Sequence, residues 1–473
     1  MKIPATPPDI RSILGRTSPQ RLSEIISGTS MLVAGRYLHW DNMRHRPTPG
    51  RLSHEEWWLG TRMARLSARE IMPFSTREGH PFSLVHAAPI RQGLHEIDQK
   101  LGMSGPRSQV RDLVEGHGRK HLLANSIVEE AIRSSQLEGA STTRRVAKEM
   151  IRRGRQPKTH GERMILNNHH AMERVAELAR RDLGAADVFE LHGILMDGTR
   201  HSGMAGRFRR ASDEIVVTLV HSDETAHVPP DAAELPARMD RLVTFANEET
   251  PDHWVHPVVR AILLHFMIGY DHPFVDGNGR VARSLFYWSM VRQGYSLAQY
   301  LAVSGILRNA PARYARAYLH TETDGADLTY FVDYHIGVIV RSIAALSAYV
   351  DRKMADIQGI EDRLRHSPDL NHRQIQLLGH ALRNPGFRYT VKSHATSHGI
   401  TPNTARADLV KLAGAGLLAS TMRGRRQEFI ATRDLEAALK EHGKRVGQAR
   451  PEPGRFNQPS WRWRSPGSPS PPA

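Results

Sequence analysis

The chain has 473 residues, a length that predicts about three domains of roughly 150 residues each. Its 40% hydrophobic and 24% charged residues are typical of a globular protein and exclude collagen-like or wholly disordered chains. Because it has no Cys, disulfides, Cys-ligated zinc sites and Cys nucleophiles are excluded. The first residues show no basic-then-apolar leader, and the apolar stretch 261–270 is too short to cross a bilayer. We therefore expect a soluble, cytoplasmic protein with no membrane contact.

Positive charge is concentrated towards the C-terminus. The chain has 65 Lys and Arg residues against 49 Asp and Glu residues, a net charge of +16. Residues 367–473 hold 17 of the basic and 7 of the acidic residues, and so carry +10 of that excess. A region of this charge attracts polyanions such as nucleic acid. A basic tail that serves only solubility explains the same charge equally well.

The first 84 residues predict a small N-terminal helical cap. Trp40, Trp57 and Trp58 supply large apolar surfaces that need a partner, so we expect the cap to pack on the segment that follows. The sequence does not indicate what residues 1–84 do.

Residues 85–350 predict a mainly α-helical domain. Apolar residues recur three and four positions apart, as at Val188 and Leu191. The segment 255–269 is apolar on nearly all sides, which is typical of a central buried helix. Strand-forming residues are confined to 214–220, which predicts one short hairpin in an otherwise helical domain.

The last quarter of the chain predicts three further segments. A polar stretch at 351–369 is typical of a linker, and a compact module follows at 370–442. Residues 443–473 are rich in Pro, Gly and Ser, which predicts a disordered tail.

The stretch 271–283, DHPFVDGNGRVAR, combines several groups that suit phosphate binding. The Gly-Asn-Gly at 277–279 permits positive φ, so that successive N–H groups can point into one concavity. The apolar run after it predicts a helix, and a helix N-terminus favours anions. Arg280 and Arg283 are three residues apart, so both guanidiniums can reach phosphate oxygens.

Two neighbouring side chains add chemistry to this stretch. Asp276 can hold Mg²⁺ against bound phosphates, and His272 can take a proton near neutral pH. Together these groups predict transfer of a phosphate-containing group to a hydroxyl. The plain structural alternative is a loop with a buried His, an Asp cap and two surface arginines.

The stretch resembles the Fic family signature HxFx(D/E)GNGRxxR at every fixed position. The resemblance covers roughly residues 85–350 and implies a Fic-type helical bundle with a short β-hairpin flap. Family members typically transfer AMP from ATP to a Ser, Thr or Tyr hydroxyl of a target protein, which implies ATP as substrate and Mg²⁺ as cofactor. The implied roles are general base for His272, Mg²⁺ ligand for Asp276, anion-hole lining for Gly277, Asn278 and Gly279, and phosphate contacts for Arg280 and Arg283.

Residues 206–230 resemble the family's flap. The matching segments are Gly206 to Arg209 and His227 to Pro230. In those relatives the flap pairs with the extended backbone of the target, so the resemblance implies that a target protein docks on 206–230. It also implies nucleotide contacts for Glu224, Thr225, Ala226, His227 and Tyr314. A plain surface hairpin is the alternative.

The segment 134–139, SSQLEG, resembles the family's inhibitory motif, (S/T)xxxE(G/N). It ends a predicted helix over 122–139, and Ser134 and Glu138 are four residues apart, on one helix face. We expect Glu138 to form a bidentate pair with Arg283 and so to occupy the guanidinium that the γ-phosphate needs. Because the segment precedes the motif, it resembles the N-terminally inhibited class. An ordinary carboxylate at a helix end is the alternative.

The module 370–442 resembles a winged helix. It shows an amphipathic helix, a second helix after the Thr401 N-cap with Pro402 at its first position, and a basic hairpin. The resemblance implies DNA contacts from the second helix and the wing, and thus possible binding of double-stranded DNA. The implied contact residues are Asn403, Thr404, Arg406, Arg423, Arg425 and Arg426. Dimerisation or substrate docking is an equally good interpretation.

We therefore predict a mainly α protein adenylyltransferase restrained by Glu138. One alternative is removal of AMP from a modified target, in which the same Glu takes part in some relatives. A second is a DNA-binding regulator whose helical domain senses nucleotide, although a pure sensor needs neither His272 nor Asp276. A third is another nucleotidyl or phosphoryl transfer. The target, the preferred base and the oligomeric state, including a homodimer, stay open.

Overall fold

The computed structural model describes residues 2–102, 119–218, 224–384, 386–423, 426–432 and 435–448. Helices make up 62% and strands 8% of it, which confirms the predicted mainly α fold class. The chain divides into two compact units, Met1–Arg352 and Lys353–Ala473.

The N-terminal part of the first unit contains four short helices and one hairpin. The helices are α1 (Ile10–Gly15), α2 (Pro19–Ser27), α3 (Trp40–Met43) and α4 (His54–Ser67), and the antiparallel strands are β1 (Arg69–Ser75) and β2 (Pro81–Val85). The hairpin differs from the purely helical segment expected for 1–84. It forms because Met72 and Phe74 are buried at alternate positions of β1, while Gly79 in the turn takes a positive φ of 84°.

A buried arginine joins the N-terminal part to the rest of the first unit. Arg65 donates from Nε to the Met31 carbonyl (3.0 Å), from Nη2 to the Leu38 carbonyl (2.9 Å) and from Nη1 to the Tyr330 hydroxyl (2.8 Å). Its guanidinium also lies 3.8 Å from the ring centroid of Tyr37. Because Arg65 is fully buried, these bonds and the ring contact offset the cost of removing its charge from water.

The helical body of the first unit follows in chain order. Its helices are α5 (Ala88–Leu101), α6 (Arg119–Leu137), α7 (Arg144–Arg153), α8 (His160–Leu178), α9 (Ala185–Met196), α10 (Leu235–Ala246), α11 (Pro257–Asp271), α12 (Asn278–Arg292), α13 (Val303–Asn309), α14 (Pro311–Thr323) and α15 (Thr329–Arg365). The flap strands are β3 (Val217–Thr218) and β4 (Thr225–His227), which pair antiparallel. Leu219 and Val220, the last residues of the predicted strand, lie outside the described residues.

Two adjacent helices, α11 and α12, form the centre of the body. Both are buried along nearly their whole lengths, as the apolar segment 255–269 predicts for α11. The loop between them, 272–277, is short, so the C-terminal end of α11 and the N-terminal end of α12 lie close together. This arrangement places the whole motif on a rigid scaffold.

Helix α15 replaces the linker expected at 351–369. It runs to Arg365, and the boundary between the two units falls inside it. The helix continues because Ile357, Ile360 and Leu364 keep a helical spacing and are buried in the core of the second unit. The stretch Thr329–Asp362 is long enough and apolar enough, with a mean hydropathy of 1.3, to span a membrane. Half of its most apolar part is buried inside the protein, however, as is usual for a core helix.

The second unit contains helices and a three-stranded sheet in the order that the sequence predicts for its module. The elements are α16 (His372–Arg383), β5 (Arg388–Tyr389), α17 (Val391–His398), α18 (Pro402–Gly414), β6 (Leu418–Arg423), β7 (Arg426–Ala431) and α19 (Leu435–Gln448). The sheet order is β5-β7-β6, all antiparallel. Helix α19 reaches Gln448, beyond the predicted end at 442, and the predicted tail from 449 on lies outside the described residues.

The buried arginine gives a stability prediction. Arg65→Met leaves two carbonyls and a tyrosine hydroxyl without their donor, so we expect the first unit to lose about 3 kcal/mol of unfolding free energy. Arg91→Met, on the exposed side of α5, is the matched control and should stay within about 0.5 kcal/mol of wild type. Urea unfolding followed by circular dichroism measures both, and equal midpoints for the two variants would contradict the role of Arg65.

Candidate active site

The loop between α11 and α12 is closed by its own side chains. Asn278 accepts from the Phe274 N–H (2.9 Å) and donates to the Phe274 carbonyl (2.7 Å). Gly277 has a φ of 87°, a left-handed conformation that glycine adopts without strain. Asn278 thus shapes the loop with its side chain, while its backbone begins α12.

The predicted base, His272, ends α11 in the left-handed conformation with a φ of 45°. Its Nδ1 lies 3.2 Å from the Gly269 carbonyl oxygen. Since a carbonyl can only accept, Nδ1 carries the proton and the lone pair of the neutral ring lies on Nε2. Burial lowers the pKa of His272 to about 4, so the ring is neutral and able to accept a proton at neutral pH.

A histidine that the sequence interpretation missed supports the loop from below. His192 of α9 stacks on Phe274, with ring centroids 3.8 Å apart. Its Nδ1 accepts from the Gly206 N–H (3.0 Å), so Nε2 carries the proton and donates to the Asp276 carbonyl (3.0 Å). Burial lowers its pKa to about 4. The available signal was a lone His among the apolar positions of a predicted helix, which is more often a satisfied core residue.

The predicted magnesium ligand, Asp276, is held by two neighbours. Its Oδ1 accepts from the Gly277 N–H (2.6 Å), and its Oδ2 lies 3.2 Å from Arg280 Nη2. The carboxylate is 42% exposed, and its oxygens keep further lone pairs for a cation. The described part of the chain contains no cluster of three metal-ligating side chains. A Mg²⁺ ion that takes one carboxylate and its other ligands from phosphates and water needs none, so Asp276 fits that ion.

The position of the Arg280 side chain differs from what its expected contact with phosphates requires. Its side chain is 1% exposed, and it donates from Nη1 to the Leu195 carbonyl (3.1 Å) while Nη2 faces Asp276. Arg280 therefore orients the carboxylate of Asp276 rather than opening towards solvent.

Arg283 and the predicted inhibitory residues are in direct contact. Arg283 Nη2 lies 2.9 Å from Glu138 Oε1, and Nε donates to the Ser134 hydroxyl (2.8 Å). The pair is thus not bidentate as expected: only Nη2 contacts the carboxylate, while Nε is bonded to Ser134. Burial would lower the pKa of Arg283, but Glu138 above all raises it beyond its usual value, so the guanidinium stays charged.

The Glu138 carboxylate lies at the N-terminal end of α12. A Cβ added to Gly279 would collide with Glu138 Oε1, so only glycine at this position allows the carboxylate so close to the helix end. Arg283 Nη1 is buried and has no hydrogen-bond partner. A buried N–H donor without an acceptor is costly, and an anion bound here would satisfy it. Glu138 therefore occupies a position that suits an anion, and one N–H donor there, that of Arg283 Nη1, is still unpaired.

A buried carboxylate, that of Glu130, anchors α6 two turns before Glu138. Glu130 Oε2 accepts from the Ser304 N–H of α13 (3.1 Å), and Oε1 accepts from the Ser304 hydroxyl. Burial raises the pKa of Glu130 to about 7. Glu130, Ser134 and Glu138 follow one another at intervals of four, so one face of α6 carries all three contacts.

The flap residues lie beside the loop, but not all of them as expected. Thr225 is exposed and Ala226 is partly buried, whereas the His227 ring is buried against Tyr270 and Glu322. His227 is thus a flap anchor in this structure rather than a surface over the loop. Glu224 is the exposed residue just before β4.

Tyr314, the expected neighbour of the nucleobase, lies inside an aromatic cluster. Its hydroxyl is 2.8 Å from His265 Nε2, and its ring lies 5.5 Å from that of Tyr318. Burial raises the pKa of Tyr314 to about 12, with Arg283 acting in the opposite direction. Tyr314 is therefore near Arg283 and is half-buried.

The second unit presents part of the predicted DNA-contact set. Asn403 and Arg406 are exposed on α18 and Arg426 is exposed on β7, while Thr404 lies partly buried near the Thr401 cap, with their hydroxyls 2.9 Å apart. Arg425 lies outside the described residues, as does the side chain of Arg423.

Comparison with known proteins gives one family match. Residues 182–290 match the model of the Fic/DOC family, so the chain contains a Fic/DOC domain. The proteins named protein adenylyltransferase Fic from Drosophila grimshawi and Drosophila melanogaster are 33% identical over 121 residues and 34% identical over 114 residues. These alignments cover 26% and 24% of this chain, and the chain spans about a fifth of the length of these curated relatives (20% and 21%).

Solved structures of Fic proteins are also similar. A Fic family protein from Desulfovibrio desulfuricans aligns over 73% of this chain and 97% of its own, with a TM-score of 0.48 and 18% identity. Fic-1 from C. elegans aligns over 55% of this chain and 71% of its own, with a TM-score of 0.41 and 20% identity.

The protonation state of the loop histidine gives a second prediction. Burial should keep His272 neutral, so its ring should not titrate between pH 5 and 8 and should show a pKa of about 4. Histidine ring NMR of wild type across this range, with His272→Gln to assign the resonance, measures this. An inflection of the assigned resonance near pH 6.5 would show that the ring is open to water and contradict the described site.

Proposed function

We propose that the protein is a protein adenylyltransferase, which transfers AMP from ATP to a Ser, Thr or Tyr hydroxyl of a target protein and is inhibited by Glu138. The observation that carries the proposal is the Glu138 carboxylate at the start of α12, bound to Arg283 where an anion would bind. The Fic/DOC match and the adenylyltransferase relatives support the same reaction class.

The reaction starts with His272. The target hydroxyl oxygen attacks the α-phosphorus of ATP while its proton passes to Nε2, the ring nitrogen that bears the lone pair. The bond between the α-phosphorus and the oxygen that bridges to the β-phosphate breaks, and pyrophosphate leaves. The Gly269 carbonyl holds the other ring nitrogen, so the base keeps one tautomer and one orientation throughout.

The loop and α12 bind the phosphates. The backbone N–H groups of the helix start and the Arg283 guanidinium supply donors and positive charge to the β- and γ-phosphates. Asp276, oriented by Arg280, would hold Mg²⁺, which neutralises phosphate charge when bound. A triphosphate that loses the contacts to its β- and γ-phosphates therefore has its α-phosphate in the wrong place relative to His272.

Inhibition follows from competition for one guanidinium. As long as Glu138 pairs with Arg283, the γ-phosphate lacks its cation and meets a like charge instead. Ser134 and Glu130 keep α6 in place, so the inhibited state is the resting state. Activation then requires α6 to shift or Glu138 to swing away.

Mass spectrometry of the intact protein tests the reaction. We expect Glu138→Gly, incubated with ATP and Mg²⁺, to gain AMP by auto-modification at least about tenfold faster than wild type, since one charge-assisted contact is worth about 1.5–3 kcal/mol. Glu138→Gly combined with His272→Ala should gain none.

The control for this experiment is Glu149→Gly on α7, whose exposed carboxylate is paired with Arg153. It should behave as wild type. Gain of a phosphate instead of AMP would contradict adenylyl transfer, and equal rates for Glu138→Gly and wild type would contradict the inhibition. Release of free AMP from a pre-modified protein would favour hydrolytic removal of AMP over its transfer.

We propose DNA binding by the second unit as a second function. The supporting observation is the charge of α18: its exposed positions Asn403, Arg406 and Lys411 include no acid, and its one carboxylate, Asp408, is buried. Arg373 Nε (2.8 Å) and the Asn371 amide (2.7 Å) compensate Asp408 internally. A helix whose exposed charged residues, Arg406 and Lys411, are both basic, next to a basic hairpin, suits a DNA groove.

Fluorescence anisotropy with a labelled duplex tests this function. Wild type should bind with an affinity that falls steeply as salt rises, and Arg406→Ala should weaken binding about tenfold at low salt. The matched control is Arg383→Ala, which removes an arginine of α16 that is paired with Glu361 of α15, and it should change little. Equal loss in both variants, or binding insensitive to salt, would contradict it.

A further inference from the structure

Both ring nitrogens of His227 have acceptors. Nε2 lies 2.7 Å from the Tyr270 carbonyl oxygen, and Nδ1 lies 2.7 Å from Glu322 Oε2 of α14. A neutral imidazole has one N–H and would leave a lone pair against one of these oxygens. Against a Glu322 carboxylate, which can only accept, the doubly protonated ring satisfies both contacts, so His227 is an imidazolium with Glu322 as its counter-ion.

Three backbone carbonyls at the end of α11, those of Tyr270, Asp271 and His272, accept hydrogen bonds from charged side chains of the flap. Arg209, which precedes the flap strands, donates from Nε to the His272 carbonyl (2.8 Å) and from Nη2 to the Asp271 carbonyl (3.3 Å). The last carbonyls of a helix have no partner within the helix and carry its negative dipole end, so cations stabilise them. The flap is thus attached to the backbone of the catalytic loop through two charged side chains.

We propose that His227 is a positioning residue, which as an imidazolium paired with Glu322 holds strand β4 on the loop that carries His272. This inference rests on the proposed function, because it concerns the edge on which a target backbone would dock. When His227 loses one proton, a ring lone pair faces one of the two oxygens, the paired contacts to Tyr270 and Glu322 can no longer both be made, and β4 separates from the end of α11. The flap is then attached at neutral pH and released as the pH rises.

The charged groups around His227 determine how the attachment of the flap depends on pH. Glu322 of α14 faces Nδ1, and Asp271 of α11 lies behind it but is paired with Arg238 of α10 (3.1 Å). Burial would lower the pKa of His227, but the Glu322 contact outweighs it, and the pKa is raised above its usual value. The stability that this contact adds is therefore complete below about pH 6.5 and is lost as the pH rises through the raised value.

The surroundings of the pair let solvent reach it. A cavity of about 320 Å³ opens beside the pair, between the β1–β2 turn, strand β4 and α14. The turn contributes the charged side chains Arg77 and Glu78, which are exposed, and the Tyr270 ring lies 4.7 Å from that of His227. His227 can therefore exchange its proton without unfolding of the body. The N-terminal 84 residues thereby contribute one wall of this cavity.

Hydrogen exchange followed by mass spectrometry tests the proposal without any activity. In wild type the amides of 224–228 should be protected at pH 7 and lose protection as the pH is raised further, after correction for the intrinsic exchange rate. Glu322→Gln should exchange there at least about tenfold faster at pH 7, the effect of one charge-assisted bond of about 1.5 kcal/mol. Peptides of α8 should keep wild-type protection in both proteins, which shows that the body is folded.

The matched control is Glu173→Gln, which removes the carboxylate of an exposed His–Glu pair with His169 and should leave 224–228 unchanged. Equal protection of 224–228 in Glu322→Gln and wild type, or wild-type protection that is constant from pH 6 to 10, overturns the proposal.

A second measurement is ring ¹⁵N NMR of wild type, with His227→Gln for assignment. It should show both nitrogens protonated at pH 7, and a neutral ring overturns the proposal. If no AMP transfer is found while both results hold, the proposed function fails and the flap anchor stands.

Discussion

The buried guanidinium of Arg283 is the constraint on which the site depends. It is 2% exposed and charged, so it must always have acceptors, and α6 supplies them through Ser134 and Glu138. A buried cation that loses one partner is strongly destabilising unless another anion replaces it. In the function that we propose, a triphosphate is that replacement, so Arg283 pairs either with Glu138 or with the nucleotide and not with both.

The rest of the first unit keeps the loop in one geometry around this arginine. Asn278 closes the loop, His192 and Phe274 fill the space beneath it, and the flap arginine Arg209 holds the backbone of His272. The strained left-handed conformation of His272 persists because these contacts over-determine it. The base and the anion position are therefore fixed before any substrate binds.

The phosphate-binding groups of the motif 271–283 were predictable because they are close in sequence. The contact between Glu138 and Arg283, which are 145 residues apart, was predictable only from the resemblance of 134–139 to the family's inhibitory motif, and the structure shows this contact. The single contact in place of the predicted bidentate pair was not predictable, because the acceptor for Arg283 Nε is the Ser134 hydroxyl, whose direction depends on packing. His192 and Arg209 act through backbone carbonyls far away in sequence, which a single sequence does not reveal.

The fold was predictable where the apolar residues of a segment follow a single helical or strand period. Helix α11 follows from its apolar run, but the β1–β2 hairpin was missed because its alternation is short and interrupted by polar turn residues. The polar surface of 351–365 suggested a linker, although the buried Ile357 and Ile360 keep the helical period.

The most direct test of the account is a structure of Glu138→Gly bound to a non-hydrolysable ATP analogue and Mg²⁺. The account predicts that the γ-phosphate contacts Arg283 at the start of α12 and that the α-phosphorus lies within reach of His272 Nε2. A triphosphate bound elsewhere, with Arg283 still bonded only to α6, would contradict it.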